Sequence, residues 1–369
     1  MLLTNFTIRG VYLKASRKTR HRLIAILARS CFVSAAVFLV ACAGPNSSPT
    51  ITYSAETDIV DPTISYAAST SDARLDYREG WFQDGEHRIH FVEAGDGPLI
   101  LLYHGFPSYW FSWHDQIEFL ASDYRVIAVD GLGAGLSSKP EASEAYTVKA
   151  LAAQLDRLAE ALSPGERFVL IGHDWGAPLS FAYAQWRPDR LRGVIGMSAP
   201  PLNNLLAQLA ASPEQQAISD YMQRFRAITL DAIQANGIAK TVAEQSYAKL
   251  AATGELSARE IELFHASVGR AEAVHGGMNW YRANIPPWDE IDDGSQWPSA
   301  DARLEIPALF IWGEADGIFL PEIIDSLLVT ETNLQIARLP GIGHWTPMEQ
   351  PELANSAIRT FLGTLETTP

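Results

Sequence analysis

Seven short runs of aliphatic and β-branched residues recur along the chain: HRIHFVEAG, LILLYHG, RVIAVD, RFVLIGHD, LRGVIGMSAP, ALFIWGEAD and LQIARLP. Most are apolar-rich and bounded by Gly, Asp or Pro, the pattern of strands buried on both faces. Between several of them the period changes to that of a helix. Over 147–162, Val148, Leu151, Leu155, Leu158 and Leu162 fall on one stripe, and Thr147 stands where a helix cap belongs. Strands alternating with helices predict a mostly parallel sheet flanked by helices. The alternation stops between about 200 and 298, where helical patterns and aromatics continue without a convincing buried strand. That stretch reads as a helical cap inserted over the carboxyl ends of the strands, where sheet ligands bind.

The first residues follow a different rule. Arg17, Lys18, Arg20, Arg22 and Arg29 precede a 12-residue apolar run, Ser30 to Ala41, too short to span a bilayer and fitting a signal-peptide core. The run ends Leu39-Val40-Ala41-Cys42, which resembles a bacterial lipobox with Cys42 as the lipidated residue. Residues 42–75 are rich in Ser, Thr, Ala and Pro and read as a flexible tether. The expected division is signal peptide 1–41, tether 42–75, core 76–199, cap 200–298 and the second part of the core 299–369. The expected location is periplasmic, on a lipid anchor.

Composition is globular, with 47% hydrophobic and 19% charged residues. The net charge of −15 hides an asymmetry: all seven basic residues of the first 41 lie where no acid occurs, leaving 21 basic against 43 acidic residues beyond. So acidic a body disfavours nucleic acid and anionic lipid as partners. The two cysteines, Cys31 and Cys42, both fall in the N-terminal segment, which argues against a structural disulfide or a cysteine metal site. No metal and no organic cofactor is implied.

The chemistry concentrates in four loops. The run RFVLIG leads into Gly172-His173-Asp174-Trp175-Gly176 and then a helical pattern. That is the layout of a nucleophile elbow with Asp174 where serine usually stands. The run ALFIWG ends at Glu314-Ala315-Asp316, and His344 follows the last strand. The order nucleophile, acid, histidine is that of α/β-hydrolases. His104-Gly105-Phe106-Pro107 follows another strand; the Phe106 N–H, with that of Trp175, is the expected oxyanion hole. His104, Pro107 and Trp175 are the expected pocket residues. An aspartate attacking sp³ carbon forms an ester that water can still cleave, whereas a serine would form an inert ether. Asp174 therefore selects epoxide opening or carbon–halogen cleavage, with His344, oriented by Asp316, activating the water.

From about residue 78 to the end, the chain resembles the soluble epoxide hydrolase family. The segments are H-G-F-P-S-Y-W-F-S-W, G-H-D-W-G, N-W-Y-R-A-N, G-E-A-D and G-I-G-H-W-T-P-M-E-Q-P. The resemblance implies the α/β-hydrolase fold, a small apolar epoxide as substrate, and a pair of cap tyrosines as general acid. Tyr281 in N-W-Y-R-A-N matches one tyrosine; Tyr221 fits the second best, with Tyr247 as the other candidate. Ser108, in place of the usual Glu, departs from the family pattern, as does the loop Asp130 to Ser138, which lacks the common Arg. Trp175 is compatible with a haloalkane or haloacid dehalogenase, but Phe106 stands where haloalkane enzymes carry Asn. A non-catalytic binding protein on the same scaffold is disfavoured because every catalytic side chain is present. The oligomeric state stays open.

Overall fold

The computed structural model describes residues 49–71, 75–292 and 296–366. Nine strands form one sheet: β1 (Thr50–Tyr53), β2 (Arg78–Asp84), β3 (His87–Ala94), β4 (Leu99–Tyr103), β5 (Arg125–Val129), β6 (Phe168–His173), β7 (Leu191–Met197), β8 (Ala308–Gly313) and β9 (Leu334–Leu339). Their spatial order is β1-β2-β3-β5-β4-β6-β7-β8-β9. β4 to β9 run parallel, and β1 to β3 add an antiparallel edge. Each of the seven apolar runs contains one of the strands β3 to β9.

The helices are α1 (Pro62–Thr70), α2 (His114–Leu120), α3 (Val148–Leu162), α4 (Gly176–Trp186), α5 (Leu202–Ala211), α6 (Pro213–Ile218), α7 (Asp220–Ala227), α8 (Leu230–Ala235), α9 (Ile238–Thr253), α10 (Ala258–Val268), α11 (Ala271–Asn284), α12 (Pro321–Thr330), α13 (Thr346–Glu349) and α14 (Pro351–Glu366). Alternate residues of one strand feed two cores. Leu101, Ile127 and Leu170 join the α3 stripe on one face. Ile100, Leu102, Val169 and Ile171 join Trp110, Trp113 and α14 on the other. Burying each such aliphatic side chain contributes about 2 kcal/mol, which is why these strands carry no polar face. α3 begins as expected, with the Thr147 hydroxyl accepting from the Ala150 N–H at 3.2 Å. Between Leu202 and Asn284, α5 to α11 follow one another and no strand intervenes.

The expected tether over 42–75 is corrected over much of its length. Residues 50–53 form β1, and 62–70 form α1. The polar composition masked two local signals. Thr-Ile-Thr-Tyr favours the pleated conformation, and Asp61 followed by Pro62 is a helix start. The Asp61 carboxylate accepts from the Thr63 N–H at 2.8 Å and from the Trp110 indole at 2.6 Å. Buried Glu79 on β2 accepts from the Asp61 N–H at 3.0 Å, which fixes the segment to the core. The expected signal peptide and Cys42 lie outside the described residues. Among the described residues, no helix is long and apolar enough to cross a membrane.

Candidate active site

β6 ends at His173, and α4 begins at Gly176. The chain reverses between them through Asp174, whose φ of +50° lies in the left-handed region that L side chains rarely adopt. The turn is that tight because a Cβ on Gly172 would meet the Gly176 carbonyl oxygen at 2.0 Å. The Asp174 N–H donates to the Met197 carbonyl at the end of β7, at 3.1 Å. Backbone strain held this way aims one short side chain out of the sheet.

Three other loops converge there, two on the carboxylate itself and one through His344. After β4, the Phe106 N–H donates to Asp174 Oδ1 at 2.7 Å. A Cβ on Gly105 would sit 2.2 Å from the same oxygen, so only glycine allows the approach. After β9, His344 Nε2 stands 3.2 Å from Asp174 Oδ2. After β8, Asp316 Oδ2 is 2.8 Å from His344 Nδ1, and its Oδ1 accepts from the Ile318 N–H at 2.8 Å. Trp175, the other expected backbone donor, is the N-cap of α4.

The charges are interdependent. Burial opposes a charge on His344, but the carboxylates of Asp316 and Asp174 outweigh it and push its pKa up to about 10. Burial likewise opposes a charge on Asp174, yet the His344 hydrogen bond and charge hold its carboxyl below the usual range. Each charge thus favours the other, the imidazolium of His344 and the carboxylate of Asp174.

The family profile for the alpha/beta hydrolase fold matches residues 98–351. The chain belongs to that family. Epoxide hydrolase 3 of Xenopus tropicalis is 28% identical over 304 residues, covering 80% of each chain. Epoxide hydrolase 1 of Caenorhabditis elegans is 27% identical over 282 residues, 74% of this chain and 68% of that one. The Bacillus megaterium epoxide hydrolase, solved with an inhibitor, superposes with a TM-score of 0.70 at 26% identity, over 77% of this chain and 99% of its own. A solved epoxide hydrolase from hot-environment metagenomes is 30% identical, with a TM-score of 0.65, over 74% and 95%. The chain is an epoxide hydrolase-like α/β-hydrolase.

Above Asp174 this hydrolase encloses a cavity of about 690 Å³ between core and cap. Phe106, Pro107, Tyr221, Phe225, Tyr281 and Trp345 are among its walls. The mouth carries exposed polar residues, including Asp220 and Arg224, which pair at 2.9 Å. Tyr221 on α7 and Tyr281 on α11 are both buried, with ring centres 5.9 Å apart. Burial, reinforced by the Asp174 charge, raises the pKa of Tyr221. Burial, then Tyr221 and Asp174, does the same for Tyr281. Both phenols therefore keep their protons and can act as donors.

Tyr247 does not join them. It is fully buried, stacks between Phe264 and Trp345, and donates to the Pro107 carbonyl. Two of the three expected pocket residues also stand elsewhere. His104 Nε2 accepts from the Gly131 N–H at 2.9 Å, leaving Nδ1 as donor to the Gly105 carbonyl at 2.7 Å. The ring thus shapes the turn behind the cavity, and burial lowers its pKa. Trp175 lies beneath Tyr281, ring centres 5.1 Å apart and edge to face, and is not part of the cavity wall. Pro107 does line the cavity.

Sequence reasoning passed over three side chains around the base: His173, Lys249 and Glu349. Glu349 was visible as the acid five residues after His344, but spacing alone does not say where a carboxylate points. Among the described residues, no cluster of His, Cys, Asp and Glu could hold a metal ion.

Proposed function

We propose that this hydrolase opens epoxides to vicinal diols through an alkyl ester on Asp174. The observation that carries the reading is the buried pair Tyr221 and Tyr281 in the cavity that holds the Asp174 carboxylate. Halide leaves as a stable anion and has no use for a phenol. An epoxide oxygen leaves as a strongly basic alkoxide and needs a proton.

In the first half-reaction an Asp174 oxygen attacks one ring carbon. That carbon–oxygen bond breaks, and the ring oxygen takes a proton from Tyr281 or Tyr221 to become a hydroxyl. The Phe106 N–H holds the other carboxylate oxygen. Once alkylation has neutralised Asp174, the His344 imidazolium passes its proton through solvent to the phenolate left by the first step and becomes a neutral base. In the second half-reaction it takes a proton from water, which adds to the ester carbonyl. The Phe106 and Trp175 N–H groups stabilise the oxyanion. Collapse breaks the ester bond, the departing oxygen takes the proton held by His344 to complete the diol, and the proton left on the Asp174 carboxyl returns to His344. The sum is epoxide plus water to diol. Neutralising Asp174 by alkylation also removes one of the two charges that keep His344 protonated, so the base is unmasked when it is needed.

The decisive experiment is a single turnover of a styrene-type epoxide in ¹⁸O-water, alongside halogenated alkanes. The label is expected in Asp174, with unlabelled diol and no halide release. Label in the first-turnover diol, or halide release without diol, overturns the reading. We further propose that the protein is exported and carried on a lipid at Cys42, on the strength of the basic segment, the apolar run and the Leu-Val-Ala-Cys sequence.

A further inference from the structure

The loop bearing His344 is held at three backbone points. The N–H of Gly343 donates to Glu349 Oε2 at 2.9 Å. The N–H of Trp345 donates to Glu349 Oε1 at 3.2 Å. The His344 carbonyl is 2.8 Å from His173 Nε2, beside the elbow. One carboxylate therefore grips an N–H on either side of the base, and the histidine adjoining the nucleophile holds the carbonyl of the peptide that follows the base.

Glu349 is only 5% exposed and its charge needs a counterion. The counterion comes from the cap: Lys249 Nζ on α9 lies 2.6 Å from Glu349 Oε2. The same helix reaches the loop twice more. The Trp345 indole donates to the Ser246 carbonyl at 3.0 Å, and Tyr247 stacks on the Trp345 ring at 5.0 Å. Tyr247 also donates to the carbonyl of Pro107, next to the oxyanion-hole residue Phe106. One cap helix thus touches both loops that the ester hydrolysis step would use.

We propose that Glu349, held by Lys249 of α9, is the positioning residue that sets the His344 imidazole for the hydrolytic half-reaction, so that cap and base act as one unit. The proposal rests on the alkyl-ester mechanism above. It assigns the pair a role in one step only. Attack by Asp174 does not involve His344 as a base, whereas deprotonation of water depends on where the Nε2 lone pair points. A displacement near 1 Å at such a site can cost about 10²-fold.

The test resolves the two steps by rapid-mixing intact-mass measurements on the full chain with a styrene-type epoxide. Glu349→Gln keeps the volume but exchanges one accepting oxygen for a donor, so one of the two grips is lost. It is expected to slow ester hydrolysis by about 10- to 100-fold. Alkylation should change by less than about threefold, so the adduct accumulates. Lys249→Arg is expected to keep the pair and the wild-type ratio of the two rates; Lys249→Met is expected to fall between wild type and Glu349→Gln. Equal slowing of both steps in Glu349→Gln, or unchanged hydrolysis, overturns the proposal.

A second readout needs no substrate. The His344 Nδ1–H proton bonded to Asp316 should give a low-field NMR signal that shifts or broadens in Glu349→Gln and is retained in Lys249→Arg. If wild type forms no adduct, the alkyl-ester mechanism fails and this signal alone decides whether Glu349 positions the ring: an unmoved signal overturns it.

Discussion

Asp174 and His344 each hold the other's charge, so removing either one splits the reaction differently. Asp174→Ala is expected to abolish turnover, to below about a thousandth of wild type, with the fold retained. His344→Gln leaves the nucleophile and both phenols in place and removes only the base. Intact mass should show enzyme plus substrate accumulating; a variant that neither turns over nor gains mass would place His344 in the earlier step. In the proposed mechanism the tyrosines act on that earlier step. Tyr281→Phe and Tyr221→Phe keep the rings and remove the hydroxyls, and each should lose roughly 10²–10⁴ in the alkylation rate. The double variant should lose nearly all of it, and epoxide opening unaffected by both would remove them as acids. At this scale the meeting of Asp174, Asp316 and His344 was legible, because the residues expected as nucleophile, acid and base each follow a strand in a recognisable order. What could not be read was direction. Nothing in the spacing of Tyr247 tells that its hydroxyl is bound to the Pro107 carbonyl, or that the His104 ring turns away from the cavity.

The elements that escaped the sequence reading are those whose burial is lopsided or borrowed. β4 and β6 are buried along their whole length and announce themselves as apolar runs. β2, Arg-Glu-Gly-Trp-Phe-Gln-Asp, carries its charges at both ends and owes its place to neighbours on both sides. β1 and α1 are held by Asp61 and Glu79, side chains a hydropathy pattern counts as solvent-facing. Asp61→Ala therefore removes a helix cap and leaves the buried Trp110 indole without its acceptor. We expect a loss of about 2 kcal/mol in stability, seen as a lower denaturant midpoint at unchanged slope. An unchanged midpoint would mean that the segment rests on the sheet without stabilising it.

For the whole molecule, the site's charges tie stability to pH. The folded-state pKa of His344 is raised from 6.5 to about 10. Its contribution is therefore fully present below about 6.5 and is lost as pH rises through about 10. Asp174 has the opposite sign: its lowered pKa contributes above about 3.8 and fades as pH falls. The difference in thermal midpoint between wild type and His344→Gln should shrink steadily between pH 7 and 10, as followed by circular dichroism. A difference constant over that range would mean that the imidazole is not charged in the resting enzyme. Location is tested separately: wild type should sediment with membranes and Cys42→Ser should not, whereas unmodified Cys42 in soluble wild type would reject the anchor.

The early start of β1 bears on that anchor. Thr50 is already hydrogen-bonded into the sheet, so only eight peptide steps separate Cys42 from the folded body. Fully extended, they reach at most about 28 Å, little more than the roughly 20 Å radius of gyration of a chain this size. With the lipid at Cys42, the enzyme would live on a leash about as long as its own radius. Its acidic surface would be repelled by anionic headgroups within a Debye length, about 8 Å. The protein would neither settle on the bilayer nor drift away, but patrol a thin shell above it. On the proposed anchor and substrate, an apolar epoxide leaving the lipid would enter that same shell before it could dilute into the surrounding volume.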